Sequence, residues 1–542
     1  MKVYEAIART LADIEVTQLF GLIGDANLFL VDSYIRDCKG QYIPAIHEAG
    51  AVQMAMGYAQ ASGKTGVATV THGPGLTNTV TALVEGVKSA IPTVVLAGDT
   101  PVGEPDHPQN INQRELIRST GAGFEQLRAP STISADITQA FRRARIERRP
   151  IVFNMPVNFQ WLETNYEKPV LYLPETRSAI TTSTDMDNAI GIIASARWPI
   201  VLAGRGAAEP STRAAILRFA ERIEAPVATT VRAKNLFAGE PFNLGICGTV
   251  SHPVAVETFM TSDTIIAFGA SLNQHTTAHG SMMRNKRIVQ INPSAGEIGR
   301  FQPVDAGLVG DPGLTAGVMT EWLDEAEIPG SGARTTELGE KLYEYHQGNS
   351  HSQKQSKAGT VSIYEALGAL NAALAKDRIL VSDVGRYMLA GWTEMDVDTP
   401  LNYIYTHGFT SIGLGLGEAI GAAIAARERP TLLLTGDGGL MLGGLTELAT
   451  AVNEKLNLII AVCNDDCYGA EYVQFQAKGM NPTLAQLNWP NIASIAQALG
   501  ATSTTVTNND ELHLAMTKLR NRDCTVPFLI DIKMNPEAMP QS

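Results

Sequence analysis

Cysteine is scarce in this chain, and what there is forms no pattern. Cys38, Cys247, Cys463, Cys467 and Cys524 make no CxxC and no even framework, so they read as ordinary cytosolic thiols rather than a disulfide scaffold. Cys463 and Cys467 have no His or Cys neighbours that would complete a metal set. Charged residues are also sparse, at 18%, and a basic excess is missing: 42 Lys and Arg against 55 Asp and Glu leave a formal charge of −13. That excludes non-specific nucleic-acid binding and attraction to an anionic membrane surface. It does not exclude a small anion held by local groups. No run approaches the ~18 uninterrupted apolar residues of a membrane span. The opening MKVYEAIARTLADIEV carries a helical stripe (Val3, Ile7, Leu11, Ile14) with both charge signs between, unlike a signal peptide. A cytoplasmic protein is expected.

The chain has 542 residues, 44% of them apolar, enough for about three domains. The 49 Gly and 27 Pro mark turns and show no collagen-like period. Short β-branched runs alternate with helical patterns in three blocks, which predicts three doubly wound α/β domains with parallel sheets. The expected bounds are 1–165, 185–325 and 360–535. YIPAI, GVATVTHGPG, PTVVLAGDTP and RRPIVFNMPV carry the first block. WPIVLAGRGAA, APVATTV, DTIIAFGASL and KRIVQINPS carry the second, and DRILVSDVG, RPTLLLTGDGG, NLIIAVCNDD and VPFLIDIKM the third. Polar stretches at 164–185 and about 328–360 read as linkers. The outer two blocks share a plan, each with a strand ending in a Gly-rich corner that opens a helix: THGPGLTN and TGDGGLML.

The strongest local signal lies in the third block. Leu432–Thr435 reads as a strand, Gly436-Asp437-Gly438 as its corner, LTELATAVNEKL as a helix, and NLIIAVC as the next strand, ending at Asn464-Asp465-Asp466. In a right-handed βαβ unit both corners lie at the carboxyl edge of the sheet. Asp437 and Asp465 therefore converge, and with a backbone carbonyl, phosphate oxygens and water they make a Mg²⁺ site. The glycines admit an anion close to backbone N–H groups. The alternative is a pair of ordinary Asp-containing turns.

That segment resembles the diphosphate-and-metal motif of thiamine-diphosphate enzymes, and nearly the whole chain resembles their acetolactate synthase and benzoylformate decarboxylase branch. FGLIGDANLFLVDSY, HEAGAVQMAMGYAQASG, THGPGLTNTVTALVEG, the GDG segment and HGFTSIGLGLGEAIGAA carry the resemblance. It implies pyrimidine-binding, central and diphosphate-binding domains in that order. It makes Asp437 and Asp465 the metal side-chain ligands and the Cys467 carbonyl the backbone ligand. Asp465 and Asp466 stand where many relatives have Asn and Gly, which makes the local field more negative.

The resemblance also assigns Glu48, which follows the YIPAI strand, to the glutamate that hydrogen-bonds the pyrimidine N1′ and promotes the tautomer that activates the cofactor. On the residues alone, Glu48 is either a largely buried carboxylate or a helix-start Glu favoured by the macrodipole. His72 stands at the corner beside the reacting carbon, as a proton donor, a carboxylate partner, or a loop imidazole satisfied by backbone. Asn78 and Gln113 are expected to face the same site. By the same analogy Gly24, Asp383, Gly385, Arg386, His407, Gly408, Ser411, Gly436, Gly438, Gly439, Tyr468 and Gly469 line the cofactor. Arg386 binds diphosphate or a substrate carboxylate, or faces solvent. Ile412 aligns with the bulky residue that props the cofactor in its bent conformation, with plain core packing as the alternative. In related enzymes the glutamate and the diphosphate site come from different subunits, which implies a homo-oligomer with sites at the subunit interface.

Two signals are discounted. FRRARIERR reads as a solvated helix face, and Gly204-Arg205-Gly206 lacks the third glycine of a dinucleotide motif. FGASLNQHTTAHG lacks the Arg-Phe-Asp-like cluster of flavin-binding relatives, which argues against FAD. The expected activity is decarboxylation of a small 2-oxo acid with transfer of the acyl carbanion to a carbonyl acceptor. The Gln-His common after Gly385 in acetolactate synthases is absent. A non-ligating decarboxylase or lyase, a flavin-dependent oxidase and a non-catalytic nucleotide-binding protein are the alternatives.

Overall fold

The computed structural model describes residues 1–173, 184–347 and 357–540. Parts of both expected linkers, at 174–183 and 348–356, lie outside the described residues. Three six-stranded, all-parallel sheets flanked by helices organise the chain, as the alternation of apolar runs predicts. The first contains β1 (Gln18–Gly21), β2 (Gln41–Pro44), β3 (Gly66–Val70), β4 (Thr93–Asp99), β5 (Gly123–Gln126) and β6 (Pro150–Pro156), in the order β2-β1-β3-β4-β6-β5. β7 (Pro199–Ala203), β8 (Val227–Thr229), β9 (Asn243–Ile246), β10 (Thr264–Phe268), β11 (Arg287–Asn292) and β12 (Ala306–Val309) form the second, in the order β12-β11-β10-β7-β8-β9. In the third, β13 (Ile379–Ser382), β14 (Tyr403–Tyr405), β15 (Thr431–Gly436), β16 (Leu458–Asn464), β17 (Thr502–Val506) and β18 (Phe528–Lys533) run in the order β14-β13-β15-β16-β18-β17.

The first and third orders are the same permutation, so the shared plan read in the two Gly-rich corners extends to whole sheets. The middle sheet has instead the Rossmann order, two halves wound outward from β7 and β10. Its lone GxG is used inside the fold. The Gly206 N–H donates to the Gly269 carbonyl at 3.1 Å, and a Cβ on Gly204 or Gly206 would run into Gly269.

The described residues form two compact units. One comprises 1–173, 357–391 and 404–540, and so contains the first and third sheets; the other comprises 184–347 and 392–403. Within the first unit the helices Glu48–Ser62 and Gly415–Ala425 pack against each other almost backbone to backbone. A Cβ on Gly57 would collide with the Glu418 carbonyl, and one on Gly421 with the Met54 carbonyl. Between them, the Gln60 amide donates to Glu418 at 2.7 Å. One apolar core, including Met54, Ala55, Ala419, Ile420, Val381 and Leu433, runs through both sheets' helices at this contact.

All five cysteines are free thiols. In FRRARIERR, Arg142, Arg145 and Arg148 are exposed, while Arg143 pairs with Glu125 at 2.9 Å and with Glu147 at 2.6 Å, and Arg149 with Glu147 at 2.5 Å. Among the described residues no helix is long and apolar enough to cross a membrane.

Candidate active site

Neighbouring parallel strands bring the two acidic corners together. β15 and β16 pair in register from Thr431↔Leu458 to Gly436↔Cys463, so Asp437 and Asp465 emerge side by side at the carboxyl edge, where ligands of open α/β sheets sit. Both carboxylates are buried. Burial and then their mutual repulsion push Asp437 up to about 7; burial pushes Asp465 up to about 6, opposed by the Arg386 guanidinium. Trp489 donates its indole N–H to Asp437 Oδ2 at 2.9 Å. The Cys467 thiol is pushed up to about 12 by burial and by the same acids. Among the described residues no group of three His, Cys, Asp or Glu side chains gathers as a metal cluster. The two carboxylates offer oxygen donors, the kind suited to a hard dication.

The corner is also shaped for close approach. A Cβ on Gly438 would sit 2.8 Å from the Tyr468 ring, and one on Gly439 3.0 Å from Asp383 Oδ2. Gly436 precedes the Asp437–Leu442 helix as its cap, and Tyr468 and Gly469 open the helix Gly469–Ala477 beside it.

Of three residues expected to contact a ligand on this edge, Asp383 and Arg386 have their polar groups engaged by protein. Buried Asp383 accepts the Val384 N–H at 2.8 Å, the Gly413 N–H at 3.0 Å, and the hydroxyls of Thr406 and Thr435 at 3.3 Å. Burial still raises it to about 6. It ties the 406–413 loop to β15. Gly385 lies under the Tyr387 ring. Arg386, read as a ligand for diphosphate or a substrate carboxylate or as a solvated side chain, is not solvated. It is buried, and its guanidinium donates to the carbonyls of Gly469, Pro536, Met539 and Pro540 while lying 4.0 Å from Asp465. The C-terminal segment, unremarkable in the sequence, takes those donors.

The 407–412 loop holds four predicted residues. His407 stacks on Tyr405 with ring centroids 5.0 Å apart. The Gly408 N–H donates to Glu85 at 2.9 Å and the Phe409 N–H to the other Glu85 oxygen at 2.6 Å. Ser411 and Ile412 are half-buried.

On the first sheet, Glu48 is the first residue of its helix, behind the N-cap His47. It is half-buried rather than deeply buried, and Asn78 donates to its Oε2 at 2.9 Å. A Cβ on Gly75 would lie 3.6 Å from its Oε1. His72, at the end of β3, is buried with Nδ1 unpartnered. Burial lowers its pKa, His107 lowers it further, and Asp25 and Asp99 oppose this; the His72 and His107 rings meet edge to face at 5.3 Å. Gln113 is not presented to an open site. Its carbonyl accepts the Gly73 N–H at 2.8 Å, and its amide donates to the Gly98 carbonyl at 2.9 Å and to Asn154 at 2.5 Å. It buttresses the His72–Gly73 corner. Gly24 packs on Thr71, with its N–H donated to Asn27 at 2.7 Å.

Two groups thus form on one unit: Glu48 with Asn78, Gly75 and His72, and Asp437 with Asp465, Trp489 and the glycine corner. Among the described residues no hydrogen bond or ion pair joins them. Sequence reasoning missed Trp489, His107, Glu85 and Glu447. Each acts through a contact far along the chain, and no local pattern marks it.

Comparison with known proteins defines the class. Residues 1–117, 186–319 and 383–532 match the N-terminal TPP binding, central and C-terminal TPP binding domains of thiamine pyrophosphate enzymes, and the chain belongs to that family, in its acetolactate synthase-like branch. The chain is 26% identical over 560 residues to a probable acetolactate synthase large subunit of Methanococcus aeolicus (98% of this chain, 92% of the relative). It is 24% identical over 542 residues to a sulfoacetaldehyde acetyltransferase of Castellaniella defragrans (95% and 90%). To the acetolactate synthase large subunit of Corynebacterium glutamicum it is 24% identical over 546 residues (97% and 86%).

Proposed function

We propose that this thiamine-diphosphate enzyme decarboxylates a small 2-oxo acid and transfers the acyl group to a carbonyl acceptor. The observation that carries the reading is the convergence of Asp437 and Asp465, two buried, mutually repelling carboxylates beside a glycine corner. They call for a dication, and a dication lets an acidic chain hold a diphosphate. In this reading Asp437, Asp465 and the Cys467 carbonyl hold Mg²⁺, and Gly436, Gly438 and Gly439 admit the diphosphate. The bound cofactor supplies the electron sink that decarboxylation of a 2-oxo acid requires.

The chain's own residues do the rest. Glu48 would hydrogen-bond the aminopyrimidine through its carboxyl group, which Asn78 orients by donating to Oε2 at 2.9 Å. His72, with its pKa lowered by burial, keeps a neutral imidazole able to pass a proton at the substrate. Gln113 fixes the backbone of that corner. Ile412 shapes the cofactor's bend. By the resemblance, in which the glutamate and the diphosphate site come from different subunits, the working form is a homo-oligomer in which Glu48 of one subunit completes the metal corner of another.

A second reading, an acetyltransferase acting on sulfoacetaldehyde, is favoured by the sulfoacetaldehyde acetyltransferase relatives, which are 24% and 27% identical over 95% and 99% of this chain. A panel of 2-oxo acids with carbonyl acceptors separates the possibilities, scored separately for CO₂, free aldehyde and ligated product, with sulfoacetaldehyde in a parallel arm scored for acetyl transfer. Ligated product in excess over aldehyde is the expected result. CO₂ with aldehyde alone, whatever acceptor is supplied, overturns the transfer and leaves a simple decarboxylase.

A further inference from the structure

The two domains of the first unit each bury one glutamate against the other's key loop, and neither glutamate belongs to the set assigned above. Glu447, at the end of the short helical turn Leu445–Glu447 of the third domain, is buried and turns its carboxylate to the backbone just before Glu48. It accepts the Ile46 N–H at 3.0 and 3.1 Å and the His47 N–H at 2.9 Å, with the Thr450 hydroxyl at 3.2 Å. Thr450 in turn donates to the Pro44 carbonyl at 3.0 Å, at the end of β2. Glu85, on the helix Val80–Lys88 of the first domain, mirrors this. It is buried, accepts the Gly408 N–H at 2.9 Å and the Phe409 N–H at 2.6 Å, and takes the Ser89 hydroxyl at 2.5 Å.

The glycines repeat the symmetry. A Cβ on Gly50 would fall on Glu447 Oε1, and a Cβ on Gly408 would meet Ser89 Oγ, with Glu85 Oε1 at 2.9 Å. The glycine two positions after Glu48 thus makes room for a carboxylate from the other domain. Charged acceptors on backbone N–H groups are among the stronger hydrogen bonds, and buried ones fix geometry.

We propose that Glu447 and Glu85 form a reciprocal clamp in which each domain positions the other's cofactor-facing loop. Glu447 is a positioning residue that acts through Glu48, and Glu85 is one that acts through the 407–412 loop. The catalytic consequence rests on the role proposed for Glu48. The clamp itself rests only on the hydrogen bonds and the glycine contacts.

The test therefore has two arms. The first is amide hydrogen exchange on the full chain without added cofactor. Glu447→Ala should speed exchange at 46–47 on the first domain about tenfold or more, and Glu85→Ala should do so at 408–409 on the third, each freeing the other domain's loop. Glu447→Gln, which keeps one acceptor oxygen, should restore most of the protection at 46–47. Unchanged exchange at those amides, or exchange that rises only in the mutated domain, overturns the clamp.

The second arm is a double-mutant cycle in turnover. Glu447→Ala should cut turnover about tenfold or more alone, and by less than about twofold further once Glu48→Gln is present. Gly50→Ala should mimic Glu447→Ala and add little to it. Fully additive losses overturn action through Glu48. A wild-type chain that takes up no thiamine diphosphate sinks the proposed function, while the exchange arm still decides the clamp.

Discussion

At the scale of single residues, burial decides what each acidic group does. In the metal-free chain Asp437 and Asp465 sit at about 7 and about 6, above the ~3.9 of an unfolded Asp. An acid whose folded pKa is raised makes the native state bind more protons than the unfolded one. Its favourable contribution is present below about pH 4 and is lost as pH rises through 6 and 7. Without Mg²⁺, stability should therefore fall across that window, with a slope of up to about 1.4 kcal/mol per pH unit for each of the two carboxyls. Saturating Mg²⁺ should remove most of the slope, and its apparent affinity should weaken below pH 7 as protons compete. Urea denaturation at several pH values, with and without Mg²⁺, checks the sign. Arg386 makes a second case. Its donors hold the C-terminal segment beside Asp465, so Arg386→Gln should weaken Mg²⁺ binding by about tenfold, the lower range for loss of an outer partner. A change confined to the KM for the 2-oxo acid would instead restore the substrate-binding role.

At the scale of elements, the glycines of two helices separate packing from propensity. In an open helix, Gly→Ala gains about 1 kcal/mol, and exposed Gly191, where an added Cβ would meet only open space, should gain it. Gly57→Ala and Gly421→Ala should each lose about 1–3 kcal/mol, because the new methyl meets a carbonyl of the opposite helix. Thermal midpoints of the three variants check the contrast; a stabilised Gly57→Ala would mean the helices separate freely. These elements also mark where the sequence was legible. The strand-corner-helix-strand run from Leu432 to Asp466 could be read because parallel βαβ geometry ties sequence interval to spatial position. The Gly-rich corners of the outer blocks pointed to a shared plan, which the sheets carry through strand by strand. The Gly50–Glu447 and Gly408–Glu85 contacts could not be read, since the reason for each glycine lies more than 300 residues away.

At the scale of the molecule, like-wound first and third sheets share one compact unit, while a Rossmann-ordered sheet makes the other. Composition alone had excluded polyanion partners, and the corner at Asp437 gives that acidic balance a local use. Arg386 and Gln113 occupy positions where the resemblance puts ligand contacts, and other segments of the chain engage their donors: Gly469 and the C-terminal segment for Arg386, β4 and β6 for Gln113. The account turns on Asp437 and Asp465 holding a dication for thiamine diphosphate. Calorimetric titration of the purified chain with thiamine diphosphate, with and without Mg²⁺, tests this most directly, alongside Asp437→Asn. Saturable uptake that requires Mg²⁺, and that weakens in Asp437→Asn by at least the ~10-fold typical for loss of an outer partner, is predicted. No uptake, or equal uptake in both proteins without the metal, would contradict it.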